Sequence, residues 1–170
     1  ANDLADGRQV PAARVVVAQL EIPVDQVLVA FRAARRLGNR TVLNPAPARD
    51  LPAELLALCD VVIPNEHEVE LLGGATALLD RGVGTVITTR GAAGVTVTSS
   101  DRDGSTVEWR QDPFAVVAVD TTGAGDAFCG ALAARLAAGD TMRSAVRYAA
   151  AAGALATTIE GAVPSLPHSA

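Results

Sequence analysis

The chain alternates short continuous apolar runs with longer stretches in which apolar residues recur every three or four positions. "RVVVAQL" (14–20) is β-branched and unbroken, which predicts a strand covered on both faces. After Pro23, "VDQVLVAFRAARRL" has helical spacing up to Gly38, a residue type that commonly ends helices. "TVLN", "LPAELLAL", "DVVIP" and "EHEVELL" follow as strand, helix, strand and helix. This βαβαβ succession predicts a parallel sheet between helices.

The second half of the chain has shorter apolar runs separated by Gly, Asp and Ser. "TVITT" (85–89), "GVTVTSS", "TVEWR" and "FAVVAV" are predicted strands, some of them antiparallel, at one side of the sheet. Helical spacing then predicts two closing helices, over residues 124–138 and 141–156. We therefore expect one α/β domain over residues 1–170, with a mostly parallel sheet in a three-layer α/β/α arrangement.

Composition narrows the class of protein. The 170 residues are 49% hydrophobic and 19% charged, as in globular proteins. No apolar run is long enough to span a bilayer and the N-terminus lacks signal-peptide features, so we expect a cytoplasmic protein without a membrane partner. A net charge of −5 without any basic run argues against a nucleic-acid partner. Cys59 and Cys129 lie among apolar residues, and we expect packed thiols there. We assign no ligand role to His67 or His168, which we expect to face solvent.

All 14 basic residues are arginine, and the missing lysine excludes two kinds of nucleotide site. A Walker A loop and a protein kinase both need a lysine on the nucleotide phosphates. A dinucleotide-binding fingerprint fails as well, because Phe128 stands where that motif requires a small residue.

The stretch "VDTTGAGDAFCGALAARLAAG" (119–139) predicts a corner between a strand, "AVVAV", and an alanine-rich amphipathic helix. Glycines let the backbone approach a ligand, and the first N–H groups of a helix attract anions. Asp126 would lie in the first helical turn. It could simply be an acid favoured by the helix dipole, or it could be a general base for phosphoryl transfer.

Two further segments admit a functional and a structural interpretation. Asn65 and Glu68 lie three residues apart at a helix start, where they could hold Mg²⁺ partly through water or form a capping box. "TTRGAAGV" (88–95) could wrap its backbone around a nucleotide or only make a tight turn.

Taken together, "DTTGAGDAF", "QLEIP", "LNPAPARDLPAELLALCDVVIPNEHEVELL" and "EGAVPSLP" resemble the PfkB, or ribokinase-like, family of carbohydrate kinases over essentially the whole chain. The resemblance implies ATP-dependent phosphorylation of a sugar's primary hydroxyl, with D-ribose as the expected substrate and D-ribose 5-phosphate as product. Alternatives are another sugar or nucleoside kinase of the family, such as a fructokinase or an adenosine kinase. A non-catalytic nucleotide-binding module and a purely structural α/β domain are alternatives from other classes.

The resemblance also implies roles for individual residues. Asp126 would be the base, beside an anion hole formed by Gly123, Ala124, Gly125 and its own N–H. Glu21 would bind the sugar together with Asp126, although Glu21 could equally be a solvated strand-end acid. The residues expected to contact ATP are Asn65, Thr89, Arg90, Gly91, Ala92, Ala93, Gly94, Gly125 and Ala150, the last standing where the family often has a polar residue near adenine.

The same resemblance implies two metal ions. Glu68 would hold Mg²⁺ through water. A monovalent cation, usually K⁺, would be enclosed mainly by backbone carbonyls at Asp120, Thr122, Ala156, Ile159, Gly161 and Ser165. Asp120 could also be only a corner-stabilising acid.

Two features depart from the family's pattern. Family members are longer, and the N-terminal half, which supplies the lid strands, the dimer contacts and most of the sugar contacts, is missing from this chain. The link after Leu72 is also shorter than usual. We therefore expect a fragment of a homodimeric parent protein, with little kinase activity on its own.

Overall fold

The computed structural model describes residues 13–162 and 164–166. The described chain divides into two compact units. Residues 13–88 and 96–109 form the first unit, and residues 89–95 together with the described residues from 110 onwards form the second.

The chain forms a six-stranded sheet and six α-helices within its described part. The strands are β1 (Val15–Ala18), β2 (Arg40–Leu43), β3 (Val61–Val62), β4 (Thr85–Thr89), β5 (Val95–Ser100) and β6 (Thr106–Gln111). The helices are α1 (Val24–Arg36), α2 (Ala53–Ala57), α3 (Glu66–Leu71), α4 (Ala75–Asp80), α5 (Ala124–Ala138) and α6 (Met142–Ala156), with a 3₁₀ turn at Gly91–Ala93.

The strands lie in the sheet in chain order, β1 to β6. β1 to β4 pair in parallel, with Val17 opposite Val42 and Leu43 opposite Val62. β4, β5 and β6 are joined by connections too short for a parallel crossover, so these neighbours run antiparallel. A mixed α/β sheet with a mainly parallel part and an antiparallel side is confirmed.

The core of the first unit lies on one face of the parallel strands. Right-handed crossovers place α1, α2 and the helices after β3 on the same face, where Leu43, Val62 and Val86 pack with Phe31 and Leu55. The alternate strand residues, including Val42 and Val61, are also buried. The central strands are therefore covered on both faces, which is why their sequences are continuously apolar.

The helix ends follow the local sequence signals. Pro23 precedes α1, and Gly38, with φ +73°, donates its N–H to the carbonyl of Arg35 at the C-terminal end. Thr141 caps α6 through its hydroxyl, which accepts the N–H of Ser144. The short link after Leu72 contains α4.

The structure corrects three predictions. β1 is not covered on both faces: it is the first strand in the sheet order, and Val17 is 41% exposed. "FAVVAV" (114–119) forms no strand. It follows Pro113, Val117 is 84% exposed, and the N–H of Val119 donates to the carbonyl of Thr157 instead of to a strand.

The third correction concerns α5, which is not amphipathic. Phe128 and Leu132 are buried, but the exposed positions Gly130 and Ala134 are also non-polar. The exposed side of α5 carries mostly small residues. Its buried and exposed sides therefore differ in side-chain size and not in polarity.

Both cysteines are buried thiols, as predicted. Burial, reinforced by the charge of Asp60, raises the pKa of Cys59 to about 12. His67 is exposed, and His168 lies outside the described residues. Among the helices of the described chain, none has both the length and the apolar character that crossing a membrane requires.

Candidate functional site

The second unit contains a cavity of about 440 Å³. Its walls come from residues 89–95, from the irregular segment 113–118, from the start of α5, and from one side of α6 with the residue that follows it, Thr157. This volume lies within the range of small-molecule sites. The cavity lining brings together several residues predicted to contact ATP: Thr89, Gly91, Ala92, Gly94, Gly125 and Ala150. Arg90 and Ala93 belong to the same loop but do not line the cavity.

The loop between β4 and β5 owes its shape to glycine. The N–H of Arg90 donates to the carbonyl of Gly94 across 2.9 Å, which closes the turn. Gly94 has φ +85° and ψ −139°, and a Cβ there would collide with the carbonyl oxygen of Gln111 and approach the nitrogen of Pro113 to 3.0 Å. Only glycine allows this approach, which keeps one wall of the cavity in place.

The cavity reaches the N-terminus of α5. Gly123 precedes the helix in the left-handed conformation, with φ +79°, and the N–H of Ala124 donates to the carbonyl of Thr121 across 3.2 Å. Ala124 and Gly125 line the cavity at this end. Because the first N–H groups of a helix have no intrahelical acceptor and carry the positive end of its dipole, this end of the cavity suits an anion.

Asp126 lies in the first turn of α5, one residue after Gly125. It is exposed to solvent, and neither it nor Gly123 lines the cavity. The carboxylate is therefore adjacent in sequence to the anion-favouring end of the cavity and is accessible from outside it. A group so placed can accept a proton from a substrate that arrives from solvent.

The carboxylate of Asp120 joins the corner before α5 to the chain after α6. Its Oδ1 accepts the N–H of Thr122 and its Oδ2 accepts the N–H of Gly161, both across 2.9 Å. Hydrogen bonds from the side chain and backbone of Thr122, and then from the backbone of Gly161, lower the pKa of Asp120 below its ordinary value. The corner-stabilising interpretation of Asp120 therefore has direct structural support.

Of the other residues predicted to enclose a monovalent cation, Thr122 lies in the corner before α5 and the remaining four lie at or after the end of α6. Ala156 is its last residue, Gly161 has φ +89°, and Ile159 is exposed. Ser165 is buried and donates its N–H to the carbonyl of Gly161 and its hydroxyl to the carbonyl of Ala162. Carbonyl oxygens at a helix end lack intrahelical donors. Together with the Asp120 carboxylate, this donor chemistry fits a hard monovalent cation.

In the first unit, Glu21 follows β1 and is exposed. Its neighbour Leu20 is buried and held on both sides: the N–H of Leu20 donates to the carbonyl of Ala46 across 3.0 Å, and the Arg49 guanidinium donates to the carbonyl of Leu20. These bonds fix the backbone from which the Glu21 side chain extends.

Asn65 and Glu68 form a capping box at the start of α3. The Asn65 amide oxygen accepts the N–H of Glu68, and the Glu68 carboxylate accepts the N–H of Asn65, each across 2.8 Å. The pair therefore forms the capping box that was its structural interpretation. The carboxylate keeps its second oxygen for a cation, which fits Mg²⁺ bound through water. Within residues 13–162 and 164–166, no three His, Cys, Asp or Glu side chains cluster as metal ligands, so phosphate or water would supply the remaining ligands.

Several residues that line the cavity were not predicted, among them Phe114, Thr121 and Thr157. Phe114 was missed because the segment 113–118 has the composition of a strand. Pro113 before the run was the available signal. In the first unit, Asn44 directly follows β2 at the carboxyl edge of the parallel strands, where α/β folds bind ligands; it is only 9% exposed and was also not predicted.

Comparison with known proteins gives these features a context. The family model described as pfkB family carbohydrate kinase matches residues 7–169. A ribokinase from Staphylococcus aureus (strain COL) is 39% identical over 165 residues, covering 89% of this chain and 53% of that protein.

Two solved structures are similar in fold and sequence. Arabidopsis thaliana ribokinase complexed with ribose and ATP has a TM-score of 0.80 at 29% identity, covering 90% of this chain and 52% of that one. A ribokinase II from E. coli in complex with ATP and Mg²⁺ has a TM-score of 0.74 at 28% identity, covering 91% and 55%. The chain thus spans about half the length of these relatives. Because the family model matches nearly all of its residues, the chain belongs to the pfkB family of carbohydrate kinases.

Proposed function

We propose that the full-length protein containing this chain transfers the γ-phosphoryl group of ATP to the primary hydroxyl of a sugar, with D-ribose as substrate and D-ribose 5-phosphate as product. One observation carries the proposal. A cavity of small-molecule size ends on the N-terminus of α5, and an exposed carboxylate, Asp126, follows in the same helical turn. Phosphoryl transfer needs this combination of anion binding and a correctly placed base.

In this proposal the nucleotide base occupies the cavity and the phosphates lie toward the start of α5. The loop from Thr89 to Gly94, with Ala150 on α6, surrounds the base, and the N–H groups of residues 123–126 face the phosphates. The nucleotide-bound relatives from Arabidopsis and E. coli support the choice of ATP.

Asp126 acts as the general base. Its carboxylate takes the proton of the sugar hydroxyl as that oxygen attacks the γ-phosphorus, and the bond between the γ-phosphorus and the β,γ-bridging oxygen breaks to release ADP. The N–H groups of the anion hole, including those of Gly123, Ala124 and Gly125, stabilise the charge that develops on the phosphoryl oxygens, with the Ala124 N–H shared between a phosphoryl oxygen and the carbonyl of Thr121.

The remaining residues bind the sugar and the ions. Glu21 accepts hydrogen bonds from the sugar hydroxyls, on the backbone fixed by Arg49. Asn65 would contact ATP, and Glu68 would hold hydrated Mg²⁺, which neutralises phosphate charge when it is bound. Asp120, Thr122, Ala156, Ile159, Gly161 and Ser165 would enclose K⁺ behind the start of α5.

Because the chain spans about half the length of its relatives, we propose that it carries the nucleotide and base machinery with only part of the sugar site. By itself it should turn over sugar slowly. The parent protein is proposed to be active as a homodimer.

A coupled ADP-release assay of the full-length protein, with pentoses, hexoses and nucleosides and with or without K⁺, tests the function. We expect sugar-dependent ADP formation that is fastest with D-ribose and stimulated by K⁺. Fastest turnover with fructose or a nucleoside would replace the proposed substrate. ATP binding without ADP formation on any acceptor would favour a non-catalytic nucleotide-binding module.

A further inference from the structure

The side chains that line the cavity include few hydrogen-bonding groups. Of the described residues that line it, only Thr89, Thr121 and Thr157 have polar side chains, and the others are glycine, alanine, valine, proline and phenylalanine. The described wall therefore has neither a carboxamide nor a charged side chain.

The threonines have limited power to distinguish one base from another. The Thr157 hydroxyl donates its proton to the carbonyl of Ala154 across 2.8 Å, which leaves only its acceptor capacity for a ligand. A hydroxyl with a free proton can rotate to donate or to accept. It can therefore satisfy the 6-amino group of adenine or the 6-oxo group of guanine equally well.

Two aromatic side chains, Phe114 and Phe128, line the cavity. Phe128 belongs to α5, whose start faces the phosphates in the proposed function, so Phe114 is the candidate for stacking on the base. The guanidinium of Arg147 lies 6.0 Å from the centroid of the Phe114 ring, and this cation–π contact stabilises the orientation of the ring. Stacking on an aromatic face tolerates different bases, because every base has a π-face.

We propose that this cavity selects its phosphoryl donor by shape and stacking, and that the protein accepts purine nucleoside triphosphates as a class, including GTP and ITP besides ATP. The inference rests on the proposed kinase function. It follows because a site can strongly reject a related ligand only when the site's own polar groups would be left unpaired, and an apolar wall offers few such groups.

Donor competition in the full-length protein tests the proposal. With saturating ribose, we expect kcat/KM for GTP and ITP within about tenfold of the value for ATP, since an apolar pocket discriminates weakly. A preference for ATP of more than about a hundredfold would overturn the proposal, because it would show that backbone groups of segment 113–118 or the threonines recognise the base edge.

A binding measurement separates this inference from the kinase proposal. Displacement of a fluorescent ATP analogue by ATP and by GTP, without sugar, reports the base preference without turnover. Equal displacement with no turnover on any sugar would support the inference and contradict the kinase function. Displacement by ATP alone would overturn the inference, whatever the activity.

The variant Phe114→Ala tests the stacking wall. We expect KM to rise for ATP and GTP by a similar factor, about tenfold, because the lost stacking is common to both bases. Val117→Ala is the matched control, since Val117 lies in the same segment but is 84% exposed and does not line the cavity; it should leave both values unchanged. If Phe114→Ala raised KM for only one nucleotide, or for neither, stacking would not be the basis of donor selection.

Discussion

Gly94 shows how a single residue determines the shape of the cavity wall. Its φ of +85° is unfavourable for any other residue, and backbone atoms of Gln111 and Pro113 occupy the space that a Cβ would need. Gly91, three residues earlier, also has a positive φ, +51°, but a Cβ there would meet open space. The two glycines of one loop therefore have different physical roles.

This difference predicts unequal costs for the same substitution. Gly94→Ala should lower the free energy of unfolding by about 3 kcal/mol or more, because backbone strain and a collision with backbone atoms add. Gly91→Ala should cost about 1 kcal/mol, the strain alone. Urea denaturation of both variants measures the costs. Equal effects would show that the backbone of segment 111–113 moves aside easily.

Asp120 is a second residue whose local bonds have a measurable consequence. Its folded-state pKa is lowered from the ordinary value of 3.8, so its ionised form stabilises the folded state. That contribution is fully present above the unfolded pKa and is lost as the pH falls through the folded pKa.

We therefore expect Asp120→Asn to destabilise the protein at neutral pH. The difference in unfolding free energy between the variant and wild type should shrink as the pH falls below about 4. Urea denaturation at several pH values gives this difference. A difference independent of pH would mean that the carboxylate's charge does not contribute.

At the scale of elements, Asn65 and Glu68 cap the start of α3. The same two residues are also predicted to bind ATP and Mg²⁺. The two roles respond differently to substitution. Serine is as good an N-cap as asparagine but lacks the amide, and glutamine completes a capping box as well as glutamate but lacks the charge.

Asn65→Ser and Glu68→Gln should therefore leave the free energy of unfolding within about 0.5 kcal/mol of wild type. If the pair also binds Mg·ATP, Asn65→Ser should raise KM for ATP, and Glu68→Gln should raise the Mg²⁺ concentration needed for half-maximal activity. Asn65→Ala is the control that removes the cap, at about 1 kcal/mol. Unchanged kinetics in both conservative variants would reduce the pair to its capping role.

Most elements could be predicted because their local and tertiary signals agree. Pro23 and Gly38 bracket α1, and the continuous apolar runs of β2 and β3 match their burial on both faces. "FAVVAV" could not be predicted, because its composition favours a strand whereas the backbone of Val119 bonds to the end of α6. Because this segment was predicted to be a strand, Phe114 was not predicted to line the cavity.

The site was predictable only where a motif is local. The glycines near α5 and the capping box at α3 are short sequence patterns whose effect on a helix start is understood. The local backbone geometry could therefore be predicted from them. Thr157 lines the cavity through its tertiary position. No local pattern distinguishes it from other polar residues at the ends of elements.

At the scale of the molecule, the chain is about half as long as its relatives, while the cavity is formed entirely by its second unit. The cavity proposed to hold the nucleotide therefore lies within the described part of this chain, whereas we do not expect the full sugar site to do so.

This arrangement predicts that ATP binding and sugar-dependent turnover can be separated. The isolated chain should bind ATP with an affinity near that of the full-length protein, but its sugar-dependent turnover should be lower by at least about a hundredfold, since positioning of the acceptor contributes much of the rate. Calorimetric titration with ATP and a coupled ADP-release assay on both proteins provide the comparison. Comparable turnover would show that this chain alone contains the sugar site.

The central claim is that Asp126 removes the proton from the attacking hydroxyl, and the rate of ADP release by Asp126→Asn in the full-length protein tests it most directly. Asp25→Asn is the matched control, because Asp25 is likewise an exposed acid in the first turn of a helix, α1. We expect Asp126→Asn to lower kcat by about 10²–10⁴-fold with ATP affinity largely retained, and Asp25→Asn to leave kcat unchanged. Equal kcat in Asp126→Asn and wild type would contradict the account.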